Sequence, residues 1–128
     1  MAAPFVFVTT HAINEGKLAD YMWQHEAFVD FVQAREPRLL EFEACMNEGR
    51  TEVTFVFVFA DADAADLHLQ LAHERIHQGL EITRTARLEV YGTPGPVLQQ
   101  VLQAIAASGV PVSIKAEALG GFSRAAAA

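Results

Sequence analysis

The stretch Arg38–Asp61, RLLEFEACMNEGRTEVTFVFVFAD, limits the folds open to this chain more than any other. In Leu40–Met46, apolar Leu40, Phe42, Ala44 and Met46 alternate with Glu41, Glu43 and Cys45, the period of a strand with one wet face. Asn47-Glu48-Gly49-Arg50 reads as the turn, with Gly49 free to take a positive φ. Thr51–Phe59 then carries Val53, Phe55, Phe57 and Phe59 on one face and Thr54, Val56 and Val58 on the other. A strand apolar on both sides belongs inside a sheet with both faces covered.

The segments on either side complete the pattern. Phe5–His11 alternates as a first strand, and Asn14 reads as the N-cap of a helix running to about Arg35, because Pro37 disfavours helix at Glu36. At about 100° per residue, Leu18, Met22, His25, Val29 and Val32 form its inward stripe, with Tyr21 and Phe28 along the edge. Asp61-Ala62-Asp63 opens a second helix running to about Gln78, with stripe Ala65, Leu69, Ala72 and Ile76 and with Gly79 at C′. Leu80–Tyr91 is the fourth strand, with Ile82, Ala86, Leu88 and Val90 inward and Thr83, Thr85, Arg87, Glu89 and Tyr91 opposite. The order β-α-β-β-α-β predicts an α+β, ferredoxin-like fold, an antiparallel sheet with both helices on one face.

Residues 93–124 read as a C-terminal helix and strand extension on the ferredoxin-like core of residues 5–92, the whole of 1–128 being a single domain. Thr93-Pro94 is the predicted helix start, Gly109 its end and Val110–Lys115 an edge strand. Leu119–Arg124 ends the ordered chain, and Ala125–Ala128 is expected to fray.

Composition narrows the partners. With 128 residues, 52% of them hydrophobic, the chain can bury a core without staples. A net charge of −7 gives no basic footprint for nucleic acid or an anionic membrane. Cys45 is the one cysteine, so no internal disulfide is possible; with no signal-peptide pattern in MAAPFVFVTT, a cytoplasmic protein is expected. Helices cover one sheet face only, yet Val56 and Val58 make the other greasy. A homodimer packed sheet to sheet would bury that patch.

Strand, long helix, the Glu48-Gly49 hairpin, the Asp61-Ala62-Asp63 start of a His-bearing helix and a strand ending Val90-Tyr91-Gly92 resemble the dimeric α/β-barrel proteins grouped with antibiotic-biosynthesis monooxygenases. The resemblance spans about Phe5–Gly92 and rests on element order and hydrophobic pattern. It implies a ligand held between sheet and helices, and cofactor-independent oxygenation of an aromatic or enolisable molecule through Asn, Trp, Arg or His side chains, without metal or flavin. The chain departs from the haem-degrading members. Thr9, Thr10 and His11 stand in the strand where those have Asn, and its only tryptophan, Trp23, is on the first helix rather than the second.

His25, mid-stripe on the first helix, is the candidate catalytic base, with a bland alternative as a hydrogen-bonded core histidine. Tyr21, Met22, Phe28, His68 and Arg84 are the expected pocket lining; His68 draws on the resemblance, and Arg84 interrupts an apolar strand face where ion pairing is the alternative. His73-Glu74-Arg75-Ile76-His77 matches H-E-x-x-H, but no third histidine follows and the pair sits off the core stripe, so no metal site is expected and zinc at His73 and His77 stands only as a remote alternative. Trp23 faces away from His25, Cys45 reads as structural, and Gly120-Gly121 reads as either a lid hinge or a packing segment. Two functions fit: a small oxygenase with His25 as base, or a non-catalytic ligand-binding or structural dimer whose pocket is closed by Phe55, Phe57 and Phe59.

Overall fold

The computed structural model describes residues 3–124; the expected fraying of residues 125–128 falls outside the described residues. In chain order the elements are β1 (Phe5–Ile13), α1 (Leu18–Arg35), β2 (Leu39–Met46), β3 (Glu52–Phe59), α2 (Ala62–Leu71), α3 (His73–Leu80), β4 (Thr83–Tyr91), α4 (Pro96–Ala107) and β5 (Val112–Lys115). The strands form one sheet in the order β2-β3-β1-β4-β5. Each of the first four is antiparallel to its neighbours among them, and β5 runs parallel to β4 at the edge. This is the ferredoxin-like α+β arrangement with a strand added. No helix among the described residues is long and apolar enough to cross a membrane.

Alternation sorts the sheet into two faces. Phe5, Phe7, Phe57, Phe59, Leu88 and Val90 are buried in one cluster with Ala64 and Ala65 of α2 and with Leu98 and Leu102 of α4. All the helices therefore lie on one side. On the other, Val6, Val8 and Val58 are half-buried and Val56 is 37% exposed. Cys45, expected to be structural, is exposed there as well.

Tertiary contacts moved several boundaries. In the β2–β3 turn the positive φ falls on Arg50 (φ 57°) and not on Gly49. Asn47 Oδ1 accepts from the N–H groups of Thr51 and Glu52 at 2.9 and 3.0 Å, which folds the chain back at Arg50. Asn14 does not cap α1 by its side chain; Lys17 holds the cap position, and Asn14 contributes a backbone carbonyl to the Lys17 N–H at 3.0 Å. The inward face of α1 is turned toward Tyr21, which is buried, leaving Met22 43% exposed. Burying an aromatic ring removes more apolar area than burying Met22 would.

The predicted second helix is two, interrupted at Ala72 (φ −94°, ψ 7°). Gly79 lies inside α3 and is not a C′ residue; its carbonyl instead receives the Ile82 N–H at 3.1 Å and the Thr83 hydroxyl at 2.9 Å, which ties α3 to the start of β4. Asp61 does cap α2, with Oδ1 accepting from the Ala64 N–H at 2.9 Å and Oδ2 paired with Arg38. A register shift then breaks the alternation of β4. Thr10 pairs Arg87 and His11 pairs Thr85, so Ala86 is a β-bulge and every residue before it changes face. Thr83 and Thr85 thereby join Leu88 and Val90 on the helix side, whereas Arg84 points to the opposite, solvent side and is exposed.

The C-terminal extension packs onto the core, with Leu98 and Leu102 in the main cluster. Its helix starts at Pro96 with Gly95 as cap, one turn-residue pair later than Thr93-Pro94 predicts. Asp66 of α2 is the cause. Its buried carboxylate accepts from the N–H groups of Leu98 at 2.9 Å and Val97 at 3.3 Å, capping α4 from another helix. A side chain at Gly95 would collide with that carboxylate. Asp66→Ala is expected to cost about 2 kcal/mol in urea unfolding. Gly95→Ala should destabilise the native protein yet become nearly neutral in the Asp66→Ala background, because the colliding group is then gone.

Candidate functional site

A cavity of about 630 Å³ separates the sheet from the helices. Its sheet wall is Phe55 and Phe57 of β3, Phe7, Thr9 and His11 of β1, and Thr83, Thr85 and Leu88 of β4. Tyr21, His25 and Phe28 project from α1, His68 and Leu69 from α2, Ile76 and Leu80 from α3, and Val101 and Ile105 from α4. Phe55 and Phe57 line this space without filling it, and Phe59 lies beneath it, fully buried. The volume suits a small organic molecule.

The deepest polar feature is a carboxylate–imidazole pair. His68 Nδ1 and Glu36 Oε1 are 2.7 Å apart, with side chains only 3% and 4% exposed. The His68 ring is packed by Phe57 at 5.0 Å, Phe59 at 5.6 Å and the edge of Phe28 at 6.0 Å between centroids. Glu36 follows the last turn of α1, where Pro37 turns the chain away, and its own N–H still closes on the Val32 carbonyl at 2.9 Å. That C-cap geometry aims the carboxylate across to α2. With Nδ1 engaged, Nε2 is the nitrogen that His68 has left for a bound molecule.

His25 stands over the aromatic floor, its ring 5.7 Å from Phe55 and 6.1 Å from Tyr21. Its Nδ1 and the Tyr21 hydroxyl are buried without a hydrogen-bond partner among the described residues. Burial pushes the His25 pKa below the ordinary histidine value and that of Tyr21 above the ordinary phenol value, so both are held neutral. His11 is pushed down to about 4 by burial. Its Nε2 lies 3.1 Å from Thr9 Oγ1 and its Nδ1 3.4 Å from Thr85 Oγ1.

Of the residues singled out from sequence, Tyr21, His25, Phe28 and His68 lie on the cavity wall. Met22 and Arg84 do not, the first because Tyr21 takes the inward position on α1, the second because the bulge at Ala86 turns it away. Trp23 is 74% exposed, and its ring reaches the rim. His73 and His77 are exposed on α3 with rings 4.5 Å apart, and among the described residues no group of three or more His, Cys, Asp or Glu side chains is placed to hold a metal ion. Glu36, His11, Thr83 and Thr85 were not anticipated as site residues. Only the position of Glu36 just before Pro37 marks it in sequence, and that signal concerns the helix end, not a partner 32 residues away.

No family model and no curated protein matches the sequence. Solved structures do match the fold. MupZ from Pseudomonas fluorescens is similar with a TM-score of 0.73 at 22% identity, over 96% of this chain and 96% of that chain. SnoaB, a cofactor-independent oxygenase from Streptomyces nogalater, gives 0.62 at 14% identity, over 75% of this chain and 98% of SnoaB. A Bacteroides thetaiotaomicron protein provisionally assigned as an antibiotic biosynthesis monooxygenase gives 0.59 at 20% identity, over 69% of this chain and 85% of that one. The chain has the fold of the antibiotic-biosynthesis-monooxygenase-like proteins. Its likeness to MupZ, at 96% of the chain, takes in α4 and β5 as well.

The buried histidines make stability depend on pH. His11 binds a proton in the unfolded chain below about pH 6.5 but resists it in the fold until about 4. The unfolded state therefore holds more protons in that window, and stability is lost as pH falls through it. Urea midpoints measured from neutral to acid pH should drop less steeply for His11→Gln than for the parent chain.

Proposed function

We propose that this protein is a cofactor-independent, monooxygenase-like enzyme that acts on a small aromatic or enolisable molecule held in the cavity. The buried Glu36–His68 pair carries the reading. A buried carboxylate is costly unless it serves a partner, and here it holds an imidazole in one tautomer with the free nitrogen available to substrate. His68 Nε2 takes the proton from a phenol, enol or activated methylene, and Glu36 stabilises the imidazolium that forms. The base role expected of His25 passes to His68, because the half-buried His25 ring has no anion beside it to favour its charged form. His25, neutral, hydrogen-bonds the substrate oxygen from the opposite wall, beside the Tyr21 hydroxyl.

The chemistry balances without an added reductant. Loss of a proton makes the substrate electron-rich enough to reduce dioxygen, and carbon–oxygen bond formation with reprotonation gives a hydroperoxide. Removal of the remaining C–H proton then breaks the O–O bond, so that CH2 and O2 become C=O and water. SnoaB, of the same fold, is described as a cofactor-independent oxygenase, which supports this direction over other proton-transfer chemistry.

The substrate class and the catalytic roles are tested together. Purified protein is expected to consume oxygen with an anthrone, whose activated CH2 becomes C=O. His68→Ala should lower kcat by about 10²–10⁴-fold, the usual worth of a positioned base. Glu36→Gln should lower kcat with little change in KM, since it acts through His68. Full turnover by both variants would refute the assignment. We also propose that two copies associate through the open sheet face bearing Val6, Val8, Val56 and Val58. Sedimentation equilibrium should give twice the chain mass of 14.0 kDa, and Val56→Glu should release the monomer. A monomeric parent chain would rule this out.

A further inference from the structure

The sheet wall of the cavity is chemically divided. Its β3 side presents Phe55 and Phe57, whereas its β1 and β4 side presents Thr9, His11, Thr83 and Thr85 beyond Phe7 and Leu88. Those four are not scattered. Cross-strand pairing sets His11 against Thr85 and Ile13 against Thr83, and the bulge at Ala86 is what brings the β4 threonines to this face. An alternation without the bulge would have placed the two threonines on the far side and turned Arg84 toward the cavity in their stead.

The row is also wired in a particular way. Thr9 Oγ1, His11 Nε2, His11 Nδ1 and Thr85 Oγ1 follow one another at 3.1 and 3.4 Å across the ring. A neutral imidazole donates through one nitrogen and accepts through the other, so one threonine accepts and the other donates. The accepting threonine keeps its own hydroxyl proton to offer, and the donating one keeps lone pairs. Thr83 spends its proton on the Gly79 carbonyl at 2.9 Å and can still accept. The row can therefore meet either a donor or an acceptor, and burial keeps His11 neutral at ordinary pH.

No fixed charge serves it. The charged residues on the cavity wall are Glu74 and Arg75, both on α3, and the Arg75 guanidinium lies over the Phe31 ring at 4.6 Å. Arg84 and Arg87, nearest along β4, are turned to the other sheet face. A carboxylate or phosphate placed against the threonines would lose its hydration without meeting a cation.

We propose that Thr9, His11, Thr83 and Thr85 form a recognition subsite for an uncharged oxygen function, a hydroxyl or a ketone, at one end of an otherwise apolar substrate whose body lies on Phe55 and Phe57. The inference rests on the cavity being the substrate site, as in the enzymatic reading above, and it adds the substrate class: neutral amphiphiles, not organic acids. Sites built to hydrogen-bond a hydroxyl discriminate strongly against the analogue that lacks it, because their polar groups are then left unpaired.

Binding of three matched probes tests this without turnover: naphthalenemethanol, methylnaphthalene and naphthoate, by calorimetry at neutral pH on the full chain. The alcohol is expected to bind about tenfold more tightly than the hydrocarbon, a difference of about 1.4 kcal/mol, and naphthoate more weakly than either. Thr85→Val and His11→Phe should bring the alcohol-to-hydrocarbon ratio to about one while keeping hydrocarbon affinity; Thr85→Val is nearly isosteric and guards against a folding defect in the other. Naphthoate binding as tightly as the alcohol, a ratio unchanged in both variants, or no binding of any probe would each overturn the subsite. Its fate is separable from that of the catalytic reading. Alcohol selectivity that survives in a chain whose turnover is indifferent to His68→Ala leaves the subsite standing and removes the enzyme.

Discussion

The layer of aromatic rings on the helix side of the sheet is the constraint from which the rest of the structure follows. Phe57 is at its centre, 4.8 Å from Phe42, 5.7 Å from Phe59, 6.0 Å from Phe7 and 5.0 Å from His68 between ring centroids. Three strands and one helix meet on that ring. Interdigitated aromatics bury large areas at fixed spacings and tolerate little volume change. They therefore set how near α2 can approach and hold the His68 ring in one orientation. A polar group fixed in such a layer must find its partner within it, and Glu36 is that partner.

The same layer leaves a gap where the rings stop. Beyond Phe55, β1 and β4 supply threonines and a histidine in place of phenylalanines, and the helices stand off the sheet over that region. The cavity thus lies where aromatic residues give way to Thr9 along β1, beside a face of β4 that carries none. Its division into a ring-lined part and a hydroxyl-lined part follows the strand register residue by residue. One bulge residue, Ala86, decides which chemistry β4 contributes.

Asp66 performs a comparable service for the C-terminal segment. By accepting from two amides at the start of α4 it draws that helix onto the core, and Val101 and Ile105 then close the side of the cavity that a shorter chain of this fold would leave open.

Element order, the one-sided helix layer and the apolar β3 strand were all legible in the sequence, because each depends on a local period that a few residues suffice to define. His25 was legible as inward-facing, and Tyr21 and Phe28 as edging the same stripe, for the same reason, whereas His68 was expected in the pocket from the family resemblance. What lay outside its reach were relations between residues far apart in the chain. The bulge at Ala86 arises from pairing β4 against β1, so nothing near Thr83 or Arg84 announces their exchange of faces. The turn at Arg50 depends on two bonds to one Asn47 oxygen, and the late start of α4 on a carboxylate from α2. The sequence by itself determined which segments are strand or helix and which of their stripes are apolar. Only the tertiary structure decided that Glu36 meets His68 and that two threonines face the cavity, because hydrogen-bond partners and strand register are set by packing across the fold and not by any local period.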